Sequence, residues 1–145
     1  MMRVFLDTNI LLDIIEERQL FLLASANVFD LGVRKQIQLF ASPLTFANCV
    51  YSARKNVGYP KALQGLKLLK QFVTATTMDD NQVSCALVDD VPDFEDRLQF
   101  ESAIAAQCAV IITRDKKRHF PQDRIPILSP EEFLRKFNFT DNKSK

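Results

Sequence analysis

Three aspartates, Asp7, Asp96 and Asp115, stand where their carboxylates can converge on one point. Asp7 directly follows the apolar run Val4-Phe5-Leu6. Asp115 comes two residues after Thr113, which closes the run Val110-Ile111-Ile112. Asp96 lies near the start of the helical stretch that feeds this second run, so it can approach the same edge. Carboxylates brought together in this way repel one another unless a cation neutralises them. Hard oxygen ligands select Mg²⁺ or Mn²⁺, which keep several waters and leave room for phosphate oxygens. Such a site can generate a hydroxide and stabilise the charge on a phosphodiester under attack.

Each aspartate also has an ordinary explanation. Asp7 suits the N-cap of a helix, Asp96 is placed to complete a capping box with Asp93, and Asp115 suits a turn. Joint placement favours chemistry, because independent caps and turns need not meet at one sheet edge. Around Asp115 lies a basic cluster, Arg114, Lys116, Lys117, Arg118 and His119, and Arg54 with Lys55 forms a second basic pair. These are candidate phosphate contacts, which carry affinity without base specificity, although a solvated loop explains the same charges. His119, the only histidine, is read as a loop residue, since a bound cation would already activate the water. The twelve phenylalanines fall mostly at inward positions and are read as core.

Positioning these groups requires a scaffold, and its elements are readable. Residues 3–6 form a strand, and Ile10, Leu11, Ile14 and Ile15 follow at helical spacing. A helix is expected over 20–35, with Leu20, Leu23, Ala24, Val28 and Leu31 inward, then a strand over 38–41. Ser42-Pro43 opens a helix to about Lys55, and an amphipathic helix over 61–71 turns Ala62, Leu66 and Leu69 inward. Residues 72–77 suit a strand and 80–88 a helix. Asp93 caps a helix over 94–107, 109–113 and 125–128 are strands, and 130–137 is the last helix. Short apolar strands alternating with amphipathic helices specify an α/β fold with a mainly parallel sheet covered by helices on both faces. Residues 1–137 read as one domain and 138–145 as a loose polar tail.

Bulk properties narrow the partners. The chain has 145 residues, 19 basic and 18 acidic, so no global field draws in nucleic acid and any binding must be local. Cys49, Cys85 and Cys108 lack metal-ligand spacing and read as buried thiols of a reducing compartment. Early acids interrupt any signal peptide and no stretch reads as a membrane span, so a cytoplasmic protein is expected.

Taken together, four segments resemble the motifs of PIN domains. Val-Phe-Leu-Asp7-Thr8-Asn9 is similar to the opening motif, and Ser42-Pro-Leu-Thr45-Phe-Ala-Asn48-Cys-Val-Tyr-Ser resembles the second. Asp93-Phe-Glu95-Asp96-Arg-Leu-Gln resembles the third, and Ile-Ile-Thr113-Arg-Asp115-Lys the fourth. The resemblance runs from Arg3 to about Phe137 and implies a three-layer α/β/α sandwich and Mg²⁺- or Mn²⁺-dependent cleavage of RNA. Many members of this size, the VapC-like ones, are toxins of toxin–antitoxin pairs. An RNA substrate, an antitoxin protein and a homodimer are therefore implied as partners. The resemblance places metal ligands at Asp7, Asp96 and Asp115, with Thr8, Asn9 and Thr113 as polar supporters.

One position departs from the pattern. The second motif normally carries an acid where this chain has Asn48, a neutral ligand that adds no charge. Thr45, Asn48 and Ser52 share a helix face and are expected to wall the site. Glu95 could substitute for the missing acid, but adjacent helical positions point about 100° apart, so Glu95 and Asp96 are not expected to aim equally well. The missing acid keeps a second reading open, a weakened module that binds RNA or a protein without cutting.

Overall fold

A computed structural model describes residues 1–88, 90–116 and 119–137. The chain order is β1 (Met2–Leu6), α1 (Thr8–Ile15), α2 (Leu22–Val33), β2 (Ile37–Ala41), α3 (Pro43–Val57), α4 (Tyr59–Lys70) and β3 (Val73–Ala75). Then follow α5 (Asp80–Ala86), α6 (Phe94–Ala105), β4 (Val110–Ile112), β5 (Ile127–Leu128) and α7 (Pro130–Lys136). The five strands form one parallel sheet in the order β3-β2-β1-β4-β5. From β1 the chain winds outward through β2 to β3, then crosses to the opposite side for β4 and β5. The reversal falls between β1 and β4, where an open α/β sheet leaves a crevice at its carboxyl edge.

Strand alternation divides the core into the expected layers. Val4 and Leu6 of β1, Leu39 of β2 and Ile112 of β4 join one cluster with Ile10, Leu11, Val28, Cys49, Ala62 and Phe133. That face is covered by α1, α2, α3, α4 and α7. Phe5, Phe40 and Ile111 point the other way and pack with Phe100 and Ala103 of α6. α5 packs on α6. The result is a three-layer α/β/α sandwich. Among the described residues no helix is long and apolar enough to cross a membrane.

Several caps follow the sequence. Ser42 accepts from Thr45 N with Pro43 in the first turn, and Ser129 with Glu132 closes a capping box on α7. Gly58, at φ 85°, lets α3 stop and α4 begin without a longer loop.

Three sequence expectations change. α2 starts at Leu22, and Leu20 and Leu23 are 87% and 76% exposed. Its buried face is instead Ser25, Val28, Phe29 and Leu31, because Ser25 is bonded to buried Asp13 and Gly32 lies tight against Leu39. Cys85 is exposed, whereas Cys49 and Cys108 are buried as expected. The phenylalanines are mostly interior as expected, with Phe72 and Phe94 exposed. Thr45 is fully buried and its hydroxyl donates to Gln99 Oε1 at 2.6 Å, so only Asn48 and Ser52 of the expected polar wall face the site. The tail 138–145 lies outside the described residues.

Candidate metal centre at the sheet crossover

Asp7 is the residue at which β1 becomes α1. Its backbone N–H extends the ladder by donating to Ile112 O at 3.0 Å, and its side chain then caps the helix, Oδ1 accepting from Thr8 N at 2.8 Å. Cap and candidate ligand are therefore the same residue. Its second oxygen, Oδ2, accepts from the Thr113 hydroxyl at 2.7 Å. The carboxylate is buried and its orientation is fixed from two sides.

Thr113 follows β4 as Asp7 follows β1. Its hydroxyl donates its single proton to Asp7, and its lone pairs accept from Asp115 N at 3.1 Å and Asn9 Nδ2 at 3.2 Å. Asn9 Oδ1 in turn accepts from Arg114 N at 3.1 Å. One small network thus sets Asp7, Asn9, Thr113 and Asp115 relative to one another across the β1–β4 boundary.

A cleft of about 330 Å³ opens beside this network. Asp7, Asp115 and Glu95 are its acidic lining residues, and Thr8, Asn9, Asn48 and Ser52 add neutral polar residues around Leu12. Among its described lining residues there is no lysine, arginine or histidine. Asp7, Glu95 and Asp115 gathered along one cleft make an electrostatic demand that a cation meets. The donors are nearly all oxygen, which suits Mg²⁺ or Mn²⁺ over softer metals. Thr8 Oγ1, buried in the same wall, has no hydrogen-bond partner among the described residues. The residues present fit the group.

Glu95 and Asp96 occupy different surroundings. Asp93 caps α6 by accepting from Asp96 N at 3.0 Å. Asp96 is buried, is not among the residues lining the cleft, and accepts at Oδ2 from His119 N at 2.9 Å. His119 Nδ1 lies 3.5 Å from the same oxygen, and Asp93, Asp96 and His119 bring ligand atoms within 4.8 Å of one another. Glu95 lines the cleft and accepts from Asn48 Nδ2 at 2.6 Å. The two neighbours do point apart, and the one turned into the cleft is Glu95.

The basic candidates divide as well. Arg114 grips Asp13 with two bonds, Nε to Oδ2 at 2.7 Å and Nη2 to Oδ1 at 2.6 Å, and its guanidinium stacks 3.7 Å from the Phe21 ring centre. That guanidinium is engaged within the fold. Lys116 is exposed, and Arg54 lies over Tyr51 on the outer part of α3. Lys117 and Arg118 lie outside the described residues. Asp13, fully buried and bonded also by Ser25 Oγ at 2.7 Å, received no role from the sequence. Its signal was a charge inside the apolar stripe of Ile10, Leu11 and Ile14.

Burial raises both interior thiols. The Cys49 thiol, further disfavoured as an anion by the charges of Asp7 and Glu16, is pushed well above its ordinary value, and Cys108 is pushed up to about 12.

A family model described as PIN domain matches residues 3–117. The ribonuclease VapC1 of Aquifex aeolicus is 26% identical over 141 residues, covering 94% of this chain and 96% of that protein. Among solved structures, VapBC2 from Rickettsia felis, bound to a DNA fragment from its promoter, has a chain with TM-score 0.62 and 18% identity. That likeness spans 88% of this chain and 98% of that one. VapC20 of Mycobacterium tuberculosis, a sarcin–ricin loop cleaving toxin, gives TM-score 0.63 at 12% identity over 79% and 91%. VapBC-1 of nontypeable Haemophilus influenzae gives 0.62 at 15% identity over 90% and 99%.

Proposed function

The chain belongs to the PIN-domain family, and from that premise we propose that it is a divalent-metal-dependent endoribonuclease, the toxin of a type II toxin–antitoxin pair. The observation that carries this reading is the cleft at the β1–β4 crossover, which gathers Asp7, Glu95 and Asp115 at the carboxyl edge of the sheet. Similarity to ribonuclease VapC1 and to chains of VapBC structures supports the choice of RNA as substrate and of an antitoxin as partner.

In this reading Asp7 and Asp115 hold the cation, with Asp96 as the third acid of the motif. Mg²⁺ or Mn²⁺ bound there supplies an activated water and neutralises charge on the attacked phosphodiester. The chain's own residues do the positioning. Asp7 cannot swing, because Thr8 N and Thr113 hold both its oxygens. Asn9 ties the segment after β4 to the first turn of α1. Asn48 presents an amide to the cleft and carries no charge of its own. Lys116, Lys117, Arg118 and Arg54 are the proposed phosphate contacts; Arg114 contributes structure through Asp13. The working form is a cytoplasmic homodimer, silenced by its antitoxin.

Asn48 favours a second reading, a module that binds RNA or protein without cutting. Expression in a bacterial host separates the two. The nuclease reading expects growth arrest with fragmented cellular RNA, both abolished by Asp7→Asn. Unimpaired growth with intact RNA, from a chain shown to be folded and abundant, would favour the binding module.

A further inference from the structure

Resting on the cation-site reading above, we propose that Glu95 carries the negative charge that position 48 lacks, and that the Asn48 amide holds it in the cleft. The two residues stand on different helices, Asn48 on α3 and Glu95 in the first turn of α6, and meet through one short contact, Nδ2 to Oε2 at 2.6 Å. Both line the same cleft as Asp7 and Asp115. Among the described residues Glu95 makes no ion pair, so no base explains its position.

The pairing follows from charge. An acid at both 48 and 95 would bring two carboxylates to hydrogen-bonding distance, and their repulsion would drive them apart. An amide at 48 removes that conflict. It donates to the carboxylate and fixes which way it points. The exchange keeps one charge at this wall of the cleft and moves its origin from α3 to α6. Glu95 can take the post because its neighbour Asp96 is turned about 100° around the helix, toward the backbone of His119. Asn48 is a positioning residue in this scheme, and Glu95 supplies charge to the cation.

Mn²⁺ alone, titrated calorimetrically into the full chain, tests this without RNA. Glu95 is exposed, so Glu95→Gln leaves the fold intact, and its melting curve in chelator should match that of the wild type. The expected result is ~10-fold or greater loss of Mn²⁺ affinity in Glu95→Gln. In Asn48→Glu/Glu95→Gln, which returns the charge to α3, most of that affinity should come back. RNA cleavage should fall and recover in parallel. Wild-type affinity in Glu95→Gln alongside lost binding in Asp7→Asn would overturn the exchange while leaving the cation site standing. A wild type that takes up no Mn²⁺ would overturn the cation site, and the exchange with it.

Discussion

The hydroxyl of Thr113 donates to Asp7 Oδ2 at 2.7 Å, joining the carboxyl ends of two adjacent parallel strands, β4 and β1. The threonine oxygen also accepts from Asp115 N and Asn9 Nδ2, so one side chain sets the spacing of two candidate ligands. Thr113→Val keeps the shape and removes all three bonds. The expected loss is about 1–3 kcal/mol of stability, because buried polar groups lose their partner, together with a large fall in cleavage. Urea unfolding and RNA cleavage measure the two effects, and Thr113→Ser should recover most of each. Unchanged stability in Thr113→Val would show that the network is incidental.

Arg114 sits beside Asp115 in the chain yet acts as a structural clamp. Its partner Asp13 is fully buried, while the Arg114 side chain is 19% exposed. Among the described residues Arg114→Ala leaves the buried Asp13 carboxylate with Ser25 and a distant Arg18 at 3.8 Å, so a loss of about 3–5 kcal/mol is expected. The salt dependence of RNA binding should be unchanged, since a residue that touches no phosphate releases no counterion. A flatter salt slope with intact stability would reverse this assignment and return Arg114 to the RNA surface.

These two residues also mark what the sequence could and could not reveal. Asp7 and Asp115 were legible because each follows a short apolar strand, and a parallel sheet places such positions along one edge. Asp13 and Arg114 were not, since a contact across 101 residues leaves no local periodicity to read. The face of α2 was misjudged because apolar spacing weighted Leu20 and Leu23, while the actual orientation is set by Ser25 bonding Asp13 and by the space beside Gly32. The sequence reading gave Asp96 the ligand role and Glu95 second place, whereas Glu95 and not Asp96 is among the residues that line the cleft. Which of them faces the cleft depended on the angle of α6, a tertiary property.

Gly32 and Gly65 should respond oppositely to alanine. A Cβ on Gly32 would stand 2.3 Å from Leu39 Cδ1 and 2.5 Å from its Cγ, within the packed core of β2. Gly32→Ala is expected to cost about 1–3 kcal/mol. On Gly65 the nearest atom is Ile15 Cγ2 at 3.4 Å, an ordinary contact, so Gly65→Ala should gain roughly 0.5–1 kcal/mol from helix propensity. Thermal melts of both variants check this. A neutral Gly32→Ala would mean that α2 is not seated against β2 as described.

Thiol chemistry should separate the three cysteines. Cys85 is exposed, while Cys49 and Cys108 are buried with raised thiol values. A disulfide reagent at pH 8 should modify one thiol in the folded protein and three after unfolding. Cys108 also predicts a pH effect. Its ordinary value is 9.0 and its folded value about 12, so its contribution to stability is complete below about pH 9 and is lost as pH rises toward 12. Two fast-reacting thiols in the native state would contradict the burial of Cys49 or Cys108.

The most direct test is cleavage of a labelled, structured RNA by the purified chain with Mg²⁺ or Mn²⁺, beside Asp7→Asn and Asp115→Asn. Cutting by the wild type that stops with chelator and falls at least ~100-fold in both folded variants is the predicted result, in keeping with loss of a metal ligand. Cutting that persists in chelator, or survives both substitutions, would contradict a cation site at the β1–β4 crossover.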